Sequence, residues 1–293
     1  MPAVLEATGL TKRFGTFTAL RDCDLSLPAH KVIGLVGPNG AGKTTLLQLA
    51  SGLLYPTTGS ISVLGRSPRN QAAALLGHVG FVAQERPLYR DFTVKETLEL
   101  ARRLNPTWDH AYALARVQRF RLPLGVRVRR LSTGQRAQVA LALAVGKRPE
   151  LLLLDEPVAN LDPLARLELL EELMATVADG GTSVVMSANA LADVERVCEH
   201  VVILLDGQVR LAGDIEDLAG QHTFVSGPLE RSPFGGGWQV IDERRAERHG
   251  TWLLRCVGST PPIDMGDGTI ARQATLEEIV LAYLRSADKG AHS

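Results

Sequence analysis

The chain has 293 residues, which is enough to bury a sizeable core and to form one large domain and a small one. Lys and Arg together number 32, and Asp and Glu together also number 32, so the formal net charge is zero at pH 7. This balance gives no indication of a basic surface for nucleic acid or for an anionic membrane.

The cysteines and the apolar runs bear on the compartment and on membranes. The three cysteines are isolated and form no C-x-x-C pair, which suits a reducing cytosol and argues against structural zinc. The first residues show no cationic segment followed by an apolar core, so we expect no signal peptide. No apolar run approaches the roughly 20 residues that a membrane-spanning helix needs. A role at a membrane would therefore require a partner protein.

The N-terminal segment predicts edge β structure. Residues 4–7 and 25–27 alternate apolar and polar side chains, as expected for strands with one buried face. Between them, Phe14 precedes Gly15. An aromatic ring at this point could stack on a nucleotide base or fill the core, and periodicity alone favours the core.

A phosphate-binding loop follows. The pattern G-x-x-x-x-G-K-T is formed by Gly37, Pro38, Asn39, Gly40, Ala41, Gly42, Lys43 and Thr44. Residues 32–36 predict a buried parallel strand before the loop, and a helix is predicted from Thr45 that can end at Gly52. The glycines let backbone N–H groups converge on phosphate oxygens, and the helix N-terminus and Lys43 add positive charge. The pattern therefore predicts a nucleotide site, with the Thr44 hydroxyl available to Mg²⁺.

A strand is predicted at residues 60–64 and another at residues 79–82, after which the chain reaches Gln84. Open α/β sheets bind ligands at the carboxyl ends of their strands. Gln84 could therefore contact Mg²⁺ or the attacking water, although a lone glutamine is more often an ordinary loop residue.

Residues 91–149 are predominantly helical in pattern. A capping box at Thr93 opens a helix to about residue 103, and a second helix is predicted at 108–120. The box Ser132-x-x-Gln135 opens a third helix that ends near residue 145. The glycine-bearing N-terminus of this helix, at Gly134, is either a second phosphate-binding device or an ordinary capped end of a core helix.

Four consecutive leucines at 151–154 predict a buried strand that ends in Asp155 and Glu156. Carboxylates at the end of a buried strand are costly unless they are paired or bind a metal. We therefore expect Asp155 to hold Mg²⁺ and Glu156 to polarise the attacking water. Asp162 is predicted to cap the next helix, with Pro163 in its first turn.

The following strand, predicted at 182–187, leads to Asn189. A hairpin with a type I′ turn at Asp206–Gly207 is predicted over residues 201–212. Beyond it, residues 252–257 predict a strand, and residues 227–228 and 232–237 are predicted to lie in loops.

A terminal helix is predicted from Thr275, which forms a capping box with Glu278, to about residue 285. Its apolar side chains recur with helical spacing at Leu276, Ile279, Val280 and Tyr283. They could pack on the chain's own domain or form a dimer or regulatory contact.

Together these motifs resemble the ATP-binding cassette (ABC) family, specifically the nucleotide-binding subunit of a transporter, over residues 3–215. The resemblance implies an α/β fold: a P-loop NTPase of ABC type with a mixed sheet core, an antiparallel β subdomain and an inserted helical subdomain at about 91–149. A small α+β extension would follow. The implied boundaries are 1–219 for the ATP-binding domain and 220–293 for a C-terminal accessory domain.

The resemblance also implies roles for individual residues. Phe14 looks like the aromatic that stacks on adenine. The phosphate loop would bind the nucleotide through Gly37, Pro38, Asn39, Gly40, Ala41, Gly42, Lys43, Thr44 and Thr45. Further nucleotide contacts would come from Ser132, Gly134, Gln135 and Asp162. Metal ligands would be Thr44, Gln84 and Asp155, and catalytic residues would be Glu156, Gln84 and Asn189.

In this family two cassettes pack head to tail, and each ATP lies between the phosphate loop of one chain and the signature helix of the other. The resemblance thus implies ATP and Mg²⁺ as ligands, a second cassette chain and a separate transmembrane permease. The chain itself would be cytoplasmic and held at the inner face of the cell membrane by that permease. No direct nucleic acid partner is expected. Residues 86–92 would face the permease, unless their apolar side chains pack inside the helical subdomain.

The C-terminal extension loosely resembles that of drug-export and bacteriocin-export cassettes, which favours an exporter. Alternatives are a nucleotide-gated regulatory or weakly hydrolysing subunit, and a cytosolic ABC protein without a transport role. Two residues depart from the family pattern. Thr133 stands where the signature most often has Gly, and Asn189 stands where the family has a switch histidine. Since Asn cannot carry a cationic hydrogen bond to the γ-phosphate, turnover is expected to be slow.

Overall fold

The computed structural model describes residues 3–229, 237–246, 248–256 and 268–290. The strands are β1 (Ala3–Phe14), β2 (Phe17–Pro28), β3 (Val32–Val36), β4 (Thr58–Val63), β5 (Val79–Val82), β6 (Leu151–Leu154), β7 (Ser183–Ala188), β8 (His200–Leu205), β9 (Gln208–Asp214), β10 (His222–Pro228), β11 (Trp238–Ala246), β12 (His249–Cys256) and β13 (Ile270–Gln273).

The helices are α1 (Lys43–Ala50), α2 (Ala72–Leu75), α3 (Val94–Leu104), α4 (His110–Arg119), α5 (Thr133–Val145), α6 (Pro163–Gly180), α7 (Leu191–Val197), α8 (Ile215–Gln221) and α9 (Leu276–Gly290), with a 3-10 turn at Val128–Arg130. No helix in the described part of the chain is long and apolar enough to cross a membrane.

The central sheet positions the site. Its order is β5-β6-β7-β3-β8-β9, and the strands are parallel except for β9, which returns antiparallel to β8. Strands β3, β6, β7 and β8 are buried at every residue, as expected for aliphatic runs covered on both faces. Because parallel strands end at the same edge, the segments that follow β3, β5, β6 and β7 lie side by side.

A second sheet, with order β2-β1-β4, is antiparallel and packs beside α1 and the central sheet. The turn of the β8–β9 hairpin contacts this second sheet. Both turn residues, Asp206 and Gly207, have positive φ, as a type I′ turn requires. The Gly207 carbonyl accepts a hydrogen bond from Arg21 N at 2.7 Å. A Cβ at Gly207 would approach the Ala19 carbonyl oxygen to 2.7 Å, so only glycine fits this approach.

The helical subdomain has its own apolar core, formed by residues of α3, α4 and α5. The four predicted caps are confirmed: Thr93, Ser132 and Thr275 form capping boxes, and Asp162 accepts from the backbone of Leu164 and Ala165. Helix α4 begins two residues later than the predicted 108, because Asp109 caps it. Helix α1 begins two residues earlier than the predicted Thr45, directly after the left-handed Gly42.

A buried ion pair joins α4 of this subdomain to α6 of the core. Arg116 Nε lies 2.9 Å from Glu172 Oε1, and Arg119 Nε lies 3.2 Å from Glu172 Oε2. Arg116 also pairs with Asp179. Burial raises the pKa of Glu172, and the two arginines oppose that rise. Removing one partner of such a pair leaves an uncompensated buried charge, so the pair strongly favours this relative placement of α4 and α6.

The C-terminal residues form an antiparallel sheet of order β11-β12-β10-β13 and helix α9. The apolar residues of α9 are buried in the same core cluster as Val201 and Ile203 of β8. The expectation that α9 packs on its own chain is therefore confirmed. Residues 227–228 were wrongly predicted to lie in a loop, since they end strand β10 through its pairing with β12. Val257 and residues 232–236 of the predicted elements lie outside the described residues.

Candidate functional site

The loop after β3 wraps a cleft of about 330 Å³. The cleft is lined by Phe17, Ala19, Asn39, Gly40, Ala41, Gly42, Lys43, Thr44, Thr45, Gln84, Glu156 and Asn189. Gly40 and Gly42 have φ of 83° and 104°, values that side chains with a Cβ rarely adopt. A Cβ at Gly37 would come within 2.1 Å of the Leu204 carbonyl oxygen, and one at Gly42 within 2.6 Å of the Ala19 carbonyl oxygen. The glycine pattern is therefore a requirement of this backbone path.

Lys43 is the first residue of α1, and only 5% of it is exposed. Its Nζ donates hydrogen bonds to the carbonyl oxygens of Gly37 at 2.7 Å and Pro38 at 3.1 Å. Burial lowers the pKa of Lys43, while the nearby carboxylates of Glu156 and Asp155 oppose that shift. A buried ammonium at a helix N-terminus, beside a glycine-rich loop, suits an anionic ligand such as a polyphosphate.

Asp155 follows β6 and is held by two hydroxyl groups. Its Oδ1 accepts from Thr44 Oγ1 at 3.1 Å and from Ser187 Oγ at 2.7 Å, and Asp155 is almost completely buried. A carboxylate and a threonine hydroxyl beside a phosphate loop provide the hard oxygen ligands that Mg²⁺ prefers. Across the described residues, no cluster of three or more His, Cys, Asp or Glu side chains has the arrangement of a metal site. Mg²⁺ would fit here by sharing ligands with a bound phosphate.

Glu156 is held by two amides across the cleft. Gln84 Nε2 donates to Glu156 Oε2 at 3.1 Å, and Asn189 Nδ2 donates to Glu156 Oε1 at 2.7 Å. The backbone of Glu156 has φ of 45°, and its N–H donates to Ser187 Oγ at 2.8 Å. The structure thus brings together the three residues expected to be catalytic. It places the Asn189 amide on the Glu156 carboxylate, a contact that the sequence did not indicate.

The two aromatic residues at the β1–β2 turn differ in position. Phe14 and Phe17 are paired across the two strands, and both are exposed, at 46% and 59%. Phe17 lines the cleft, whereas Phe14 lies outside the set of lining residues and has Lys12 Nζ 5.0 Å from its ring centroid. Phe17 is therefore a second candidate for base stacking.

The residues predicted to form the second half of the site lie outside this cleft. Ser132 caps α5 and accepts from Gln135 N at 3.1 Å, and Asp162 caps α6. Gly134 is packed so closely on α6 that a Cβ there would approach the Ala165 Cβ to 2.8 Å. None of the four predicted residues Ser132, Gly134, Gln135 and Asp162 is among the lining residues.

Two contributing residues were missed from the sequence. Ser187 bonds both the Asp155 carboxylate and the Glu156 backbone. Ser187 lies at the carboxyl end of β7, next to β6, which leads to Asp155 and Glu156. A position at the end of a strand is what indicated Gln84, and the same reasoning would have indicated Ser187. Arg86 donates to the backbone carbonyls that follow Glu156. No sequence pattern indicates that contact.

Comparison with known proteins finds a matching family and several proteins of similar sequence. The ABC transporter family matches residues 20–159. The chain is 29% identical over 219 residues to the ABC transporter ATP-binding protein YtrB of Bacillus subtilis, covering 75% of each chain. It is 33% identical over 223 residues to the Nod factor export ATP-binding protein I of Cupriavidus pinatubonensis, covering 74% of this chain and 68% of that one.

Among solved structures, an ATP binding subunit of an ABC transporter superposes with a TM-score of 0.67 at 29% identity. The match covers 74% of this chain and 92% of that structure. The fold is therefore that of an ABC ATPase cassette.

The cleft generates a prediction that separates phosphate contacts from base contacts. Lys43→Ala removes the buried charge and should weaken binding of both ATP and inorganic tripolyphosphate by about tenfold or more. Losing a hydrogen bond to a charged group commonly lowers affinity by roughly this factor. Phe14→Ala should weaken ATP binding alone, by about five- to a hundredfold, as expected for loss of base stacking. Titration calorimetry with the two ligands measures both effects.

Phe17→Ala is the matched control, since Phe17 lies opposite Phe14 in the strand register. If Phe17→Ala and not Phe14→Ala weakens ATP binding, the stacking residue is Phe17. Tripolyphosphate binding by Lys43→Ala at parental affinity would contradict the phosphate-loop assignment.

Proposed function

The chain belongs to the family of ABC transporter ATP-binding proteins, and we propose that it is the ATP-hydrolysing subunit of a membrane exporter. The observation that carries the proposal is the juxtaposition of Lys43 and Glu156 across one cleft. A buried cation and a glycine-lined loop face a carboxylate that lines the same cleft. This arrangement suits phosphoryl transfer to water.

The roles in the cleft follow from charge and contacts. Lys43 provides positive charge at the β- and γ-phosphates, and Thr44 and Asp155 hold Mg²⁺. When bound, Mg²⁺ neutralises charge on the phosphate oxygens. Glu156 orients and polarises the attacking water, and Gln84 holds the Glu156 carboxylate toward the cleft. Phe14 stacks on the adenine base, with Phe17 as the neighbouring alternative.

A second cassette chain completes the site. The N-terminus of α5, with Ser132 as cap and Gly134 in its first turn, lies outside the chain's own cleft and suits a phosphate bound by another chain. A head-to-tail dimer places this end against the phosphates bound by the other chain. Asp162 lies at the start of α6, packed beside Gly134, where the two chains meet.

The permease binds at a groove between the core and the helical subdomain. The groove, of about 410 Å³, is lined in part by Leu53, Leu88, Tyr89 and Leu104. Leu88 is half-buried against the helical core, whereas Tyr89 is 64% exposed and stacks on Phe92 with ring centroids 5.2 Å apart. Exposed aromatic and aliphatic side chains around a groove are typical of protein interfaces.

The direction of transport is proposed from two features. One similar protein is named as a Nod factor export protein. The sequence of the C-terminal extension also loosely resembles that of drug-export and bacteriocin-export cassettes. The chain would then lie at the cytoplasmic face of the membrane through its contact with the permease.

A weakly hydrolysing subunit is the second candidate, and the Asn189–Glu156 hydrogen bond favours it. At 2.7 Å this bond occupies one oxygen of the carboxylate that has to orient water. An asparagine also lacks the cationic donor that a histidine would offer to the phosphate. Turnover in a homodimer would then be slow, and a partner chain carrying a histidine would restore one fast site.

The dimer can be tested by trapping it. Glu156→Gln keeps the shape of the carboxylate but weakens its ability to polarise water, so MgATP should hold the variant as a dimer in size-exclusion chromatography. Adding Ser132→Arg to this variant should abolish the dimer by filling the space for the γ-phosphate. An elution profile of Glu156→Gln that ATP does not change would count against the composite site.

Docking on the groove can be tested at Tyr89, because Leu88 is partly structural. Tyr89→Glu should abolish recovery of the chain with native membranes while leaving ATP affinity unchanged. Tyr55→Glu is the matched control, as Tyr55 is another exposed tyrosine and does not line the groove. Loss of ATP binding in Tyr89→Glu would show that Tyr89 supports the fold instead.

The effect of Asn189 is tested by restoring the family residue. Asn189→His should raise the steady-state ATPase rate by about tenfold or more. Losing a hydrogen-bond donor to the charge that develops in the transition state commonly lowers turnover by ~10²–10³. Asn189→Ala frees the Glu156 oxygen but provides no donor to the phosphate, so it should bring a smaller increase than Asn189→His. Equal rates for the parent and Asn189→His would show that neighbouring donors already compensate.

A further inference from the structure

Arg86 lies two residues beyond Gln84 and has a left-handed backbone, with φ of 48°. Its N–H donates to the Ala83 carbonyl at 3.0 Å, which closes a tight turn directly after β5. A non-glycine residue in this region is strained, so the surrounding contacts must hold it there. The Arg86 side chain is half-buried and reaches the segment that follows β6.

The guanidinium of Arg86 bonds the backbone of that segment. Its Nη2 lies 2.8 Å from the Pro157 carbonyl oxygen, and 3.4 Å from the carbonyl oxygens of both Glu156 and Ala159. These carbonyls belong to an irregular turn in which Glu156 and Asn160 have positive φ. The turn has few hydrogen bonds of its own, such as Ala159 N to the Glu156 carbonyl at 3.1 Å. Arg86 therefore supplies a large share of its polar contacts.

The electrostatic setting of Arg86 is unfavourable for a cation. In the part of the chain that the structure describes, Arg86 forms no ion pair, and its buried Nε has no hydrogen-bond partner. Burial lowers the pKa of Arg86, and the positive charge of Arg136 lowers it further. Carbonyl dipoles alone stabilise this charge, which makes the contact a specific one: an apolar side chain would fill the space without the desolvation cost.

We infer that Arg86 is a positioning residue for Glu156, an inference that rests on the role proposed above for that carboxylate. By fixing the carbonyls at 156, 157 and 159, it sets the direction of the Glu156 side chain and the path of the chain to Asp162. Arg86 also lines the groove that contains Tyr89. One side chain thus connects the wall of the groove to the backbone of the catalytic carboxylate.

The test compares Arg86→Met with Arg86→Lys, using Arg90→Met as the matched control. Met removes the donor, and Lys keeps an ammonium that can bond several carbonyls; both retain a Cβ and hence the same backbone strain. Arg90 lies in the same segment and is exposed. For each purified protein, kcat and KM for MgATP are measured, together with amide hydrogen exchange over residues 156–162.

Arg86→Met should lower kcat by about tenfold or more with KM within about twofold, because a hydrogen bond to a charged group commonly carries at least this factor. Exchange over 156–162 should accelerate in Arg86→Met, be intermediate in Arg86→Lys, and remain parental in Arg90→Met. Rescue by Lys distinguishes positioning by a donor from simple filling of space.

Parental kcat and parental exchange in Arg86→Met would overturn the inference. An equal loss of kcat in Arg86→Met and Arg86→Lys, accompanied by a rise in KM, would also overturn it, since that pattern indicates general damage to the fold. A parent protein without measurable ATPase would refute the proposed function, and the exchange data would then still decide whether Arg86 holds the turn.

Discussion

The parallel pairing of β5, β6, β7 and β3 is the constraint on which the site depends. At their carboxyl ends, β5 leads to Gln84, β6 to Asp155 and Glu156, β7 to Asn189, and β3 to the phosphate loop. The registers of these strands are continuous across the sheet. A shift of one residue in any strand would turn its terminal side chain to the other face. The complete burial of β3, β6 and β7 prevents such shifts, so the core that stabilises the sheet also sets the distances in the cleft.

Two adjacent carboxylates acquire different environments at the end of β6. Asp155 is buried and bonded by the hydroxyls of Thr44 and Ser187, whereas Glu156 turns into the cleft through its positive φ and is bonded by amides. Hydroxyl groups beside Asp155 suit a metal ligand. Amide donors hold Glu156 in place without neutralising it, as a base requires. The change in backbone conformation between neighbouring residues is what separates the two proposed roles.

The sequence predicted the parts of this site that depend on local spacing, and missed those that depend on tertiary contacts. The glycine pattern, the buried strands and the caps at Ser132 and Asp162 follow from local physics and were confirmed in the fold. Ser187 and Arg86 were missed because their partners lie 31 or more residues away in the chain, in the segment that follows β6. The choice between Phe14 and Phe17 depends on the course of one β-turn, which periodicity does not determine.

The contacts of Glu156 explain why the residue at 189 matters. Strand β6 is flanked by β5 and β7, so the carboxylate at its end is reached from both sides, by Gln84 and by Asn189. An asparagine side chain is short, and its one amide group reaches the carboxylate at 2.7 Å. A longer imidazole has two separated nitrogens and can contact the carboxylate and a phosphate together. With Asn at this position, one N–H of the amide bonds Glu156, and the uncharged amide offers no cationic donor to a ligand. In the mechanism proposed above, the residue at 189 sets how strongly the end of β7 can contact the carboxylate and the ligand together.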